Sequence, residues 1–117
     1  MNWYGGWGLV LLAFITGAGI GLFFHNDEFW GGYDSWRRRL ARLGHIAMAA
    51  LGLMNVVYSL APSRSPLAGP LLLAGAVAMP LVCFLSAWRK PLRRLFFIPV
   101  TLLCLAVVFL LMAGPRP

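Results

Sequence analysis

Histidine is the side chain best suited to bind a metal or move a proton near neutral pH, and this sequence has only His25 and His45. They flank a polar stretch between two apolar blocks, so two neighbouring helices would bring them to similar depth. A pair of imidazoles placed that way can hold a b-type haem or a metal ion. Gly17 and Gly21 precede His25 by two turns and one turn of helix, where missing side chains would leave room for a flat ring. Cofactor binding by His25 and His45 is therefore one expectation from the residues alone. A surface site for a divalent ion at His25, Asp27 and Glu28 is a weaker one, since the arginines of the same stretch offer those carboxylates ion pairs.

His45 also belongs to a longer pattern. At helical spacing it aligns with Ala49, Gly52, Asn55 and Ser59, a small and polar stripe on an otherwise apolar helix. Polar groups in hydrocarbon need partners, so this stripe is expected to face protein and to fix helix register through Gly52 and Asn55. Its functional alternative is contact with a proton, ligand or transported solute, with Thr16 as a further polar lining residue. Met79 and Cys83 lie at i and i+4, with Met48 and Met54 on another segment. Such soft ligands suit copper(I), although methionine is equally a filler of apolar packing. Cys83 and Cys104 form no Cys-x-x-Cys pair and are expected to stay unbridged.

Other chemistry lacks its residues. No Asp, Glu, Lys or Arg falls in the centre of an apolar block, where proton-coupled transport commonly places a carboxylate. Small four-helix multidrug exporters have this length but depend on a glutamate in their first span, and none stands here. There is no Ser-His-Asp constellation, zinc-protease motif or phosphate-cradling loop. The expectation is a protein that is not an enzyme.

These residues must be positioned by membrane spans. The chain has 117 residues, 61% hydrophobic and 11% charged, against about 25% charged in an ordinary soluble domain. Its apolar residues fall into blocks long enough to cross a bilayer. The spacing predicts spans over about 3–24, 43–60, 67–88 and 95–113, an all-α membrane protein built as a four-transmembrane-helix bundle of two antiparallel hairpins. The segment Met1-Asn2-Trp3-Tyr4 lacks the basic start of a signal peptide, so the first block is expected to be a retained span. Trp3, Tyr4 and Trp7 suit an interface. Gly17 and Gly21 make a Gly-x-x-x-Gly pair for close helix packing. Asp34 or Ser35 can cap a helix that begins at Trp36, and Pro80 is expected to kink the third span.

The formal net charge of +7 would suggest nucleic acid in a soluble protein, but here the charges sit at span ends. Arg37, Arg38, Arg39 and Arg42 follow the first span, and Arg89, Lys90, Arg93 and Arg94 follow the third. Only Arg64 and Arg116 lie on the opposite side. The positive-inside rule then puts loops 1 and 3 in the cytoplasm and both termini outside, with those eight cations meeting lipid headgroups. The partners expected are the lipid bilayer and other membrane subunits, with no nucleic acid. Small residues, aromatic ends and absent catalytic groups point to an accessory or structural subunit of a larger respiratory or photosynthetic type complex in a bacterial-type inner membrane. A haem- or metal-binding redox protein and a small oligomeric transporter or channel are the alternatives.

Overall fold

The computed structural model describes residues 1–23, 32, 35–62 and 65–114. His25, Asp27, Glu28, Asp34, Arg64 and Arg116 lie outside them. The described residues form helices and no strand: α1 (Asn2–Phe23), α2 (Trp36–Leu60), α3 (Ala68–Trp88) and α4 (Phe97–Ala113), with a 3₁₀ segment (Lys90–Phe96) leading into α4. All four α-helical segments, counting the 3₁₀ residues with α4, are long and apolar enough to cross a membrane. At about 1.5 Å per residue the 22 residues of α1 cover about 33 Å, the thickness of a hydrocarbon core.

The helices start and stop for local reasons. The Ser35 hydroxyl accepts from the Arg38 backbone N–H at 3.2 Å and so caps α2. This selects Ser35 from the two capping candidates. Helix α2 therefore begins seven residues before the apolar block at Leu43, with an arginine-rich first pair of turns. Gly114, at φ 67°, closes α4 in a conformation that costs glycine nothing. Pro80 lies inside α3 and is buried. The basic stretch that follows the third span is mostly 3₁₀ helix. Pro91 favours this because its fixed φ suits a helical first turn.

The helices pack in chain order. Helix α1 packs on α2, α2 on α3 and α3 on α4, with a smaller contact between α1 and α3. Among the described residues α4 has no comparable contact with α1 or α2. The molecule measures 53 × 27 × 17 Å, an open row of helices rather than a square of four. Lipid tails exert no hydrophobic force that would close such a row, so small-residue and polar contacts decide which helices meet. The core is correspondingly small-grained: Leu9, Ala13, Met48 and Ala76 are buried together, flanked by Ala49, Leu51 and Phe84.

Candidate functional site

The stripe on α2 turns toward protein. Gly52 touches α1 so closely that a Cβ there would stand 2.8 Å from the Gly6 carbonyl oxygen. A Cβ on Gly6 would in turn stand 2.6 Å from the Gly52 oxygen. The two backbones are in direct contact, and this crossing brings the polar residues around it together.

At one end of the crossing lies a polar clamp. The Asn2 side-chain amide donates to Asn55 Oδ1 at 2.7 Å and to the Gly69 carbonyl at 2.9 Å. Asn55 donates to the Leu51 carbonyl at 2.9 Å and is fully buried. Three helices, α1, α2 and α3, are thus tied at one point. Gly69 makes room for it, since a Cβ there would meet the Tyr58 ring at 2.9 Å and Asn2 Oδ1 at 3.0 Å. Sequence reading found Gly52 and Asn55 but missed Asn2, Gly6 and Gly69. The available signal was depth: Asn2 opens the first span and Asn55 nears the close of the second, so adjacent antiparallel helices would bring them level.

At the other end lies His45. Its imidazole rests on Gly17, where an added Cβ would stand 2.5 Å from Cε1 and 3.1 Å from Nε2. The glycine that was expected to make room for a flat cofactor instead makes room for the histidine's own ring. Among the described residues, no atom beyond its own stretch of helix lies within 4 Å of the Gly21 Cβ position, so it packs against no other helix there. It forms, with Gly17, Ile20, Arg42 and His45, the wall of a shallow cleft of ≈ 120 Å³. His45 Nδ1 is buried and has no hydrogen-bond partner among the described residues. His25, the expected second ligand, lies outside the described residues, and no cluster of three or more metal-ligating side chains occurs among them.

Two outcomes follow for this end. Gly17→Leu should push the imidazole off α1 and destabilise the fold by about 1–3 kcal/mol, the usual cost of overpacking. His45→Phe removes the unpaired nitrogen while keeping a ring, so it should leave stability within about 1 kcal/mol of the parent. Thermal unfolding in mild detergent measures both. A large loss in His45→Phe would mean that Nδ1 has a partner in the membrane.

Three hydroxyl groups donate to carbonyls of their own helices. Thr16 Oγ1 donates to the Leu12 carbonyl at 2.8 Å and Thr101 Oγ1 to the Phe97 carbonyl at 2.6 Å. The Ser59 hydroxyl donates to the Val56 carbonyl. Of the residues named above as able to line a pore, Asn55 is buried in the clamp, and Thr16 and Ser59 are bonded to their own helices. Cys83 is buried and Cys104 exposed, and both are free thiols.

The basic residues gather at one end of the row. Lys90 Nζ lies 5.6 Å from the centre of the Trp36 ring, and Trp36 Nε1 donates to the Ser86 carbonyl at 2.9 Å, joining the start of α2 to the end of α3. Arg89 stacks its guanidinium 4.9 Å from the Trp88 ring centre. Arg37, Arg39, Arg89, Lys90, Arg93 and Arg94 are exposed and Arg42 is half-buried. Arg38 differs: it is 2% exposed and does not reach the surface as a headgroup contact would. Its position on the helix, between exposed Arg37 and Arg39 and beside buried Leu40 and Ala41, turns it inward.

No protein family, curated protein or solved structure matches this chain.

Proposed function

We propose that this protein is a structural subunit of a larger assembly in a bacterial-type inner membrane, of the respiratory or photosynthetic kind. Its helices run as two hairpins, with both termini outside and the arginine-rich ends in the cytoplasm. The observation that carries the reading is the open row: among the described residues α4 packs on α3 and has no comparable contact with α1 or α2. Gly8 and Gly19 on α1 support it, because among the described residues no atom beyond their own stretch of helix lies within 4 Å of their Cβ positions. Glycine costs a helix about 1 kcal/mol relative to alanine. That cost is offset when another helix approaches the bare backbone.

Affinity purification in mild detergent, with mass spectrometry of the co-purifying proteins, tests this directly. Stoichiometric membrane partners are expected, and Gly19→Leu should release them without unfolding the chain. A protein recovered alone, or only as copies of itself, would remove the accessory-subunit reading.

A second reading has one specific observation behind it, the unpaired Nδ1 of His45 beside its cleft. It makes the protein a haem- or metal-binding redox component using His45 with His25. The absorption spectrum of the pure protein separates the two readings. A Soret band lost in His45→Ala supports the cofactor, and a spectrum with only the aromatic band removes haem.

A further inference from the structure

The clustered basic end holds a cavity that headgroup contact in general does not require. It has a volume of ≈ 150 Å³ and lies between α2 and α3, lined by Arg37, Phe84, Ala87 and Trp88. Its walls are of two kinds. Phe84, Ala87 and Trp88 are apolar and come from the last turns of α3, whereas Arg37, a residue whose side chain ends in a guanidinium, comes from the first turn of α2. The Trp36 hydrogen bond to the Ser86 carbonyl ties the two helix ends that supply these residues together at 2.9 Å. Lys90, 5.6 Å from the Trp36 ring centre, adds a second positive charge at the same end.

We infer that this cavity is a binding site for one anionic phospholipid. The headgroup phosphate sits on the Arg37 guanidinium, whose planar fork matches two phosphate oxygens. The glycerol and the first carbons of an acyl chain lie against Phe84, Ala87 and Trp88. Charge and depth select this ligand over a soluble anion. Three of the four lining residues among those described are apolar, which favours a molecule that carries hydrocarbon directly beneath its phosphate. Basic pockets between spans on the cytoplasmic side are a recurring form of anionic-lipid recognition. The inference does not depend on a protein partner and stands or falls separately from the proposed subunit role.

The test uses the full chain in nanodiscs of phosphatidylcholine with and without phosphatidylglycerol, and native mass spectrometry to count phosphatidylglycerol retained on the released protein. One phosphatidylglycerol per chain is expected. Arg37→Lys keeps the charge but loses the fork, and should weaken retention by about tenfold, as loss of one charge-assisted pair does. Arg39→Lys, exposed and outside the cavity, should leave retention unchanged. Equal losses in the two variants would mean a diffuse basic patch, and the site would fall. If inorganic phosphate displaces the phosphatidylglycerol, the cavity takes a free anion and the lipid assignment is overturned. Both variants change exposed side chains, so folding, followed by circular dichroism, is expected to be unaffected in either.

Discussion

Replacing Gly52 by isoleucine will force α1 and α2 apart and will be the most damaging single substitution in the chain. The geometry leaves no softer outcome. The Cβ alone would stand 2.8 Å from the Gly6 carbonyl oxygen, 3.0 Å from Leu9 Cβ and 3.1 Å from Val10 Cγ2. The first of these is backbone and cannot swing away as a side-chain tip would. Even alanine should cost about 1–3 kcal/mol, the range for overpacking a tight contact. Isoleucine should exceed that range, because the same displacement breaks the Asn2–Asn55 bond and lifts His45 from Gly17. Gly8→Ala is the matched control: its Cβ would meet nothing within 4 Å, so it should be neutral or stabilise by up to about 1 kcal/mol through helix propensity. Thermal unfolding in mild detergent ranks the three. If Gly52→Ile unfolds at the parent's temperature, the close crossing of α1 and α2 is not present in the membrane.

The second large effect belongs to the clamp. Asn55→Leu takes away the acceptor for Asn2 and inserts a branched side chain at a fully buried position. A loss of about 1–3 kcal/mol is expected, as for other buried hydrogen bonds broken from one side. Asn2→Leu should cost a similar amount, because it leaves the fully buried Asn55 Oδ1 without its donor. The double variant isolates the pair. Its coupling energy should fall near 0.6–1.7 kcal/mol, the span found for hydrogen bonds between membrane helices. Additive losses would show that Asn2 and Asn55 act independently, and the three-helix tie would then have no energetic content.

The clamp and the glycine crossing explain how so apolar a chain specifies one arrangement. Leucine packs equally well on lipid or on another leucine, so the long apolar surfaces of α4 discriminate between neighbours weakly. Discrimination falls to the few polar and small residues. Asn2, Asn55 and the Gly69 carbonyl lock three helices, while Gly75 admits Leu103, which would lie 2.6 Å from a Cβ at that position, and so seats α4 on α3. The same economy leaves α4 with a single neighbour and gives the molecule its open edge.

The number, approximate limits and membrane character of the helices were legible in the sequence, because hydrocarbon imposes length and composition on any span. The cap at Ser35 and the inward turn of the Gly52 and Asn55 stripe were legible as well. Each rests on local backbone needs or on the cost of a bare polar group in lipid. Tertiary structure alone decided that the helices form a row, that Gly17 receives an imidazole while Gly21 faces open space, and that Arg38 turns inward among exposed arginines. It also decided that Asn2 completes the clamp. These outcomes depend on crossing angles and relative depth, which several arrangements of the same apolar spans satisfy almost equally until specific small and polar atoms meet.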